Sequence, residues 1–194
     1  MVMRTLVLGM GNPILCDDAV GIRLARELRA RFEERLATGT EAIPGSRVIL
    51  GDTSAKGIPT DSDVHFIEDC SVGGLNLLDL VIGYERLIVF DSIRTPGETA
   101  GDWHAMTGAT FRETMNLGCV HDANFTTALE LGRLMDACVP RPEDVHIFAV
   151  EIVDNTTFSE HMTPELEAAY GDFSSEIMRE ALALLRSTSS RDPA

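Results

Sequence analysis

The stretch that decides the fold is residues 3–21, which read MRTLVLGMGNPILCDDAVG. Residues 3–9 are apolar enough for a strand buried on both faces, as strands of parallel sheets are. A turn over residues 11–13 follows, and two acids at positions 17 and 18 open a helix, since acidic side chains suit the positive end of the helix dipole. Apolar residues then recur every fourth position at Val20, Leu24, Leu28 and Phe32. The stretch therefore predicts a strand, a tight turn and an amphipathic helix to about residue 36.

The remaining sequence alternates between short apolar runs and helical patterns. We expect strands at residues 48–50, 64–68, 87–90, 102–106 and 145–151. We expect helices at residues 73–82, at 122–137, and from Pro164 onwards with Thr163 as N-cap. Strands that alternate with helices predict an α/β fold, with an open, twisted, mostly parallel sheet and helices on both faces.

The domain organisation is expected to be simple. Residues 1–187 are predicted to form a single domain, followed by a flexible tail at 188–194. Residues 38–63 are rich in Gly, Pro, Ser, Thr and Asp, and read as a long loop around the strand at 48–50. The helix over 122–137 should stack Phe125, Leu129, Gly132 and Met135 on the side that carries His121, and the last helix could break at Gly171-Asp172.

Composition narrows the function classes. The net charge is −15, from 16 basic and 31 acidic residues, which disfavours binding to nucleic-acid backbones. No apolar run approaches the roughly 20 residues of a membrane span, and no signal peptide is evident, so we expect a cytoplasmic protein without a membrane partner. The four cysteines form no CxxC pair, so neither a zinc ribbon nor a redox dithiol is indicated.

Three polar residues are expected at one edge of the sheet. Asp18 lies in the first strand-to-helix turn, Asp91 ends the run LIVFD, and His121 precedes a helix. Ligands of open α/β sheets bind at the carboxyl ends of the strands, where all three would lie. Two carboxylates and an imidazole suit a divalent metal and leave open coordination positions. Taken singly, Asp18 could serve only its helix start, and a lone histidine is more often a packed or surface residue.

Residues 9–21 (GMGNPILCDDAVG) resemble the N-terminal signature of the hydrogenase maturation endopeptidases, which process the large subunit of nickel–iron hydrogenases. The family pattern is GxGN, a short turn, two acids and a glycine three positions later, with Asp18 as the second acid. Three later stretches are similar to family segments in the same order: LIVFD ending at Asp91, DCSVGGLNLL over 69–78, and MTP at 162–164. His121, at the start of its helix, resembles the family's third ligand.

The resemblance implies a protease that removes the C-terminal extension of a nickel-loaded large-subunit precursor. Asp18, Asp91 and His121 would be both its metal ligands and its catalytic residues, and they would recognise nickel that the substrate carries. Cadmium or zinc could occupy the same ligands. The metal would polarise the scissile carbonyl or position a water, with Asp17 or Asp69 as candidate bases.

Other interpretations remain open at this stage. A non-enzymatic nickel sensor or chaperone could use the same ligands, and spore-type proteases of similar fold are a further enzyme alternative. A dinucleotide-binding oxidoreductase is disfavoured, because the third glycine of GxGxxG would fall on Ile14 and the gap before Glu68 is too long. Zincin and serine-hydrolase mechanisms lack their motifs, HExxH and GxSxG. Thiolates of Cys16, Cys70 or Cys119 could bind soft metals, although free cysteines are most often packing residues.

Overall fold

A computed structural model describes residues 3–38, 47–50, 63–72, 76–111 and 122–186. The strands in these residues are β1 Thr5–Met10, β2 Arg47–Leu50, β3 Asp63–Cys70, β4 Arg86–Ile93, β5 Trp103–Thr107 and β6 Val145–Glu151. The helices are α1 Val20–Thr38, α2 Asn76–Val81, α3 Gly108–Phe111, α4 Asp122–Leu134 and α5 Pro164–Arg186, and a 3-10 turn over Cys16–Ala19 precedes α1. Each predicted strand and helix is confirmed within a few residues at its ends.

The strands form a six-stranded sheet in the order β2-β3-β1-β4-β6-β5. All neighbouring pairs are parallel except β5, which runs antiparallel to β6 at one edge. The central strand β1 is buried along its whole length, as its uninterrupted apolar sequence requires. The predicted open, mostly parallel α/β sheet is therefore confirmed.

Helices cover both faces of the sheet, and alternate residues of each strand point to opposite cores. Val7, Ile88 and Phe148 face the core made with α1 and α5. Leu8 and Val89 belong to the opposite core, which is completed by Leu77 and Leu78 of α2 and Ala128 and Leu129 of α4. Because the parallel strands all run in the same direction, the turns that follow them lie at one edge of the sheet, the carboxyl edge.

Two expectations about helices are wrong. The last helix does not break at Gly171-Asp172, since α5 runs without interruption and a Cβ on Gly171 would meet nothing within 4 Å. Met135 does not stack with Leu129 and Gly132, because α4 ends at Leu134 and Met135 is 63% exposed. Asp136 has a φ of 53°, a left-handed conformation typical of the end of a helix.

Several expectations concern residues outside the described ranges. They include the tail at 188–194, the loop at 38–63 apart from its two ends and β2, and His121 and Cys119. The side chain of Phe125 is also undescribed. Among the described residues, no helix is long and apolar enough to cross a membrane.

Candidate active site

The centre of the sheet provides the crevice in which a site would lie. Strands β1 and β4 are neighbours, but the chain leaves β1 towards β2 and β3 and leaves β4 towards β5 and β6. Such a switch in direction separates the loops at the carboxyl ends and opens a ligand-binding cleft. The turn that holds Asp18 follows β1, and Asp91 lies near the end of β4.

Glycine backbones allow α1 to approach this crevice closely. A Cβ on Gly21 would lie 2.3 Å from the carbonyl oxygen of Met10 and 2.5 Å from that of Phe90. Only glycine therefore allows the start of α1 to contact the ends of β1 and β4 together. Gly11 has a φ of 135°, and its added Cβ would lie 1.9 Å from the carbonyl oxygen of Asp18. These contacts fix the position of Asp18 over the sheet edge.

Both carboxylate oxygens of Asp18 accept hydrogen bonds. The backbone N–H of Asn12 donates to Oδ2 at 2.8 Å, and the hydroxyl of Ser92 donates to Oδ1 at 2.6 Å. Ser92 belongs to β4, so the second bond ties the turn after β1 directly to the neighbouring strand. Each oxygen retains a further lone pair with which it can bind a cation.

Asp91 is 8% exposed and lies two residues before the end of β4, slightly inside the strand that was expected to end there. Its Oδ1 accepts the backbone N–H of Ser92 at 2.8 Å. Ser92 thus contacts Asp91 through its main chain and Asp18 through its side chain. Two of the three predicted ligands thus contact Ser92, while the third, His121, lies outside the described residues.

Asp17, one of the candidate bases, has a structural role instead. Its carboxylate is fully buried and accepts the backbone N–H groups of Val153, Asp154 and Thr163 at 3.1, 3.0 and 2.6 Å. The Thr163 hydroxyl donates a fourth bond at 3.0 Å. These bonds join the turn after β1 to the start of α5. Its carboxylate is therefore enclosed by structural hydrogen-bond donors.

The cysteines described near the site behave as buried packing residues. Cys16 and Cys70 are 6% and 0% exposed. Burial raises the pKa of both thiols, and the nearby Asp17 and Asp91 carboxylates, respectively, raise it further. Both therefore remain thiols at neutral pH, which removes the thiolate that a soft metal needs. Cys119 lies outside the described residues.

Sequence reasoning did not identify Ser92, because a serine after an aspartate carries no motif. Nor did it identify the partners of Glu68, the acid considered for a dinucleotide ribose. Glu68 forms ion pairs with Arg29 and, at 3.6 Å, with Arg26 of α1. Ile14, where a dinucleotide-binding turn needs its third glycine, is 47% exposed. These contacts support the earlier reasons against a dinucleotide site.

Comparison with solved structures identifies the fold. The hydrogenase maturating endopeptidase HybD from E. coli matches with a TM-score of 0.60 and 22% identity, covering 95% of this chain and 93% of that one. The solution structure of an endopeptidase from Escherichia coli gives a TM-score of 0.61 at 22% identity, over 95% and 93% of the two chains. The NiFe hydrogenase maturation protease HybD from Thermococcus kodakarensis gives 0.54 at 16% identity, over 95% and 100%.

Neither the protein-family models nor the curated proteins give a match. The fold is therefore established by structure, over nearly the full length of the chain, where sequence similarity is low. It is the fold of the hydrogenase maturation endopeptidases.

Proposed function

We propose that this protein is an endopeptidase that removes the C-terminal extension of a nickel-loaded nickel–iron hydrogenase large-subunit precursor. Asp18, Asp91 and His121 recognise the nickel that the precursor carries. The observation that carries the proposal is the Ser92 bridge: at the switch point of this fold, the Ser92 main chain donates to Asp91 and its hydroxyl donates to Asp18. Chains of the same fold are named as hydrogenase maturation endopeptidases.

The position of α4 supports His121 as the third ligand. Cys138 follows α4, and its carbonyl oxygen accepts the backbone N–H of Gly83 at 2.7 Å, next to the start of β4. The end of α4 therefore lies near the amino edge of the sheet. A 13-residue helix is about 20 Å long, close to the length of a six-residue strand. Packed along the sheet through Ala128 and Leu129, α4 begins at the carboxyl edge, immediately after position 121.

Nickel in this scheme is part of the substrate. Two carboxylates and an imidazole complete its coordination only when the precursor has been loaded, which couples cleavage to metal insertion. The coordinated ion then polarises the scissile carbonyl or orients a water next to it. Since Asp17 has a structural role, Asp69, which is exposed at the end of β3, is the remaining one of the two candidate bases.

The test is cleavage of a nickel-loaded large-subunit precursor, followed by the change in its mass. We expect the wild-type chain to cleave it and D18A, D91A and H121A to lose at least about 100-fold in rate. Asp79→Ala, on the exposed side of α2, is the matched aspartate control and should cleave at the wild-type rate. Cleavage that survives in all three ligand variants would overturn the site. A wild-type chain that binds nickel but cleaves no precursor would overturn the protease and favour a nickel sensor or chaperone.

A further inference from the structure

A buried carboxylate at the end of β6 has one oxygen without a hydrogen bond among the described residues. Glu151 is 2% exposed, and its Oε2 accepts the backbone N–H of Thr95 at 2.8 Å. Its Oε1 has no hydrogen-bond partner there, but lies 3.4 Å from Nε2 of His104 on β5. A buried carboxylate is costly unless a charge or donor compensates it, and the half-exposed imidazole of His104 is placed to compensate this oxygen.

This pair lies on the face of the sheet to which Asp91 points. Asp91 is opposite Ala149 in the β4–β6 register, and Ala149 is opposite His104 in the β6–β5 register. Residues opposite one another share a face, and the same alternation places Val89 and Ile147 in the α2–α4 core. Two strand spacings of about 4.8 Å separate the Asp91 and His104 backbones by about 10 Å. Between them Ala149 contributes only a methyl group.

We propose that His104 is the general base and acid of the hydrolysis, and that Glu151 is the positioning residue that orients its imidazole. This proposal rests on the proposed function, in which the scissile bond is held beside the metal at Asp18 and Asp91. The backbones of Asp91 and His104 are about 10 Å apart, a span that a peptide carbonyl and a water can bridge between the two side chains.

The proton transfers balance with one water consumed. With Nε2 of His104 beside Glu151 Oε1, 3.4 Å away, Nδ1 accepts a proton from water while the water oxygen bonds to the scissile carbonyl carbon. The resulting imidazolium returns that proton to the amide nitrogen as the carbon–nitrogen bond breaks. The products are a new C-terminal carboxyl group and a new amine, and the imidazole is neutral again. A buried carboxylate that fixes the tautomer of a histidine and stabilises its charged form is an established catalytic arrangement.

The ionisable residues described next to His104 in a cavity at the sheet edge are acidic. Besides Glu151, a cavity of about 490 Å³ at the start of β5 is lined by His104 together with Glu98, Asp102, Asp172 and Glu176. Among the described residues that line this cavity there is no Lys or Arg. The positive charge that His104 gains on accepting a proton is therefore met by carboxylates.

The first test compares His104→Gln with His146→Gln on the nickel-loaded precursor. His146 lies five residues before Glu151 on the same strand, about 16 Å towards the amino edge, and is the matched control. We expect H104Q to lose 100-fold or more in kcat, with the affinity for nickel ions measured by calorimetry unchanged, and H146Q to retain the wild-type kcat. An unchanged kcat in H104Q would overturn the proposal.

The second test examines the positioning role without relying on turnover. In the wild-type chain, nitrogen-15 NMR of His104 should show the tautomer that is protonated at Nε2, and Glu151→Gln should change the tautomer ratio. Protonation at Nδ1 in the wild type would overturn the proposal. The two proposals can fail separately. If D18A loses cleavage but H104Q keeps full activity, only the role of His104 is overturned. If the wild-type chain cleaves nothing, the proposed protease function itself is overturned.

Discussion

Two adjacent carboxylates, Asp17 and Asp18, have opposite surroundings and therefore different roles. Asp17 is fully buried, and main-chain and hydroxyl donors from the far end of the chain surround it. Asp18 is only partly buried, and each of its oxygens accepts one hydrogen bond. The 3-10 turn separates their directions, with Asp17 pointing towards Thr163 and Asp18 towards β4. Only Asp18 keeps lone pairs for a metal.

Asp17→Ala should destabilise the protein strongly. The substitution leaves the buried N–H groups of Val153, Asp154 and Thr163 without their acceptor, and hydrogen bonds to charged groups are worth about 1.5–3 kcal/mol each. We expect the free energy of unfolding to fall by about 3 kcal/mol or more in urea titrations. Asp69→Ala, at an exposed position, should change it by less than about 0.5 kcal/mol. Equal effects of the two substitutions would contradict the structural role of Asp17.

Ser92→Ala should weaken metal binding without unfolding the chain. The variant removes the hydroxyl that donates to Asp18 at 2.6 Å and keeps the main-chain bond to Asp91. Partners that orient a metal ligand typically contribute about 10- to 100-fold in affinity, and we expect a loss in that range for nickel or cadmium ions by calorimetry.

Ser92→Thr is the control for this effect, since it retains a hydroxyl and should recover most of the affinity. Ser174→Ala, a buried serine on α5, should leave metal binding unchanged. If S92A binds the metals as tightly as the wild type, the bridge does not prepare the site.

At the scale of elements, the close approach of α1 to β1 and β4 creates the crevice. Gly21 is where the helix crosses the strand ends, with the carbonyl oxygens of Met10 and Phe90 too near for any Cβ. By contrast, Gly171 lies in the middle of α5 and faces open space. The two glycines are both helical, but only the first is required by packing.

Gly21→Ala and Gly171→Ala should therefore have opposite effects on stability. The methyl group at 21 forces α1 away from two backbone oxygens, which should cost about 3 kcal/mol and lower metal affinity as Asp18 moves. The methyl group at 171 has space, and alanine is favoured over glycine in a helix by up to about 1 kcal/mol. Thermal and urea unfolding measure both changes. Destabilisation by G171A as large as that by G21A would contradict this account.

The sequence predicts these elements well because their causes are local. The apolar run in β1 and the four-residue period in α1 need no knowledge of distant residues. The position of Asp18 and Asp91 at the same edge of the sheet also follows, since parallel strands share a carboxyl edge. Asp17 could not be assigned, because its partners Val153, Asp154 and Thr163 lie far along the chain. Met135 was misplaced because the helical period continues past the point where the backbone turns at Asp136.

At the scale of the whole molecule, the topology gathers chemistry from several distant segments. Neighbouring strands deliver Asp91 and Glu151 to one edge, and the antiparallel strand β5 returns His104 to the same edge. If β5 ran parallel to the other strands, its last residues would lie at this carboxyl edge, and His104, near its start, would lie at the opposite edge. The reversed direction of β5 therefore allows the early residue of an edge strand to take part in a carboxyl-edge site.

Charge is the property that belongs to the molecule as a whole, and it should make stability depend on salt. The net charge of −15 is repulsive in the compact state. Exposed ion pairs such as Arg23–Glu167 and Arg31–Glu27 oppose this repulsion, but each is worth at most about 1 kcal/mol. Salt screens both kinds of interaction, with a Debye length that falls from about 30 Å at 0.01 M to about 10 Å at 0.1 M.

Because the net-charge repulsion acts over longer distances and between more groups than the ion pairs do, salt should weaken the repulsion more than the attraction. We expect the free energy of unfolding, measured in urea, to rise with sodium chloride over this range, and a fall would show that the ion pairs outweigh the net charge.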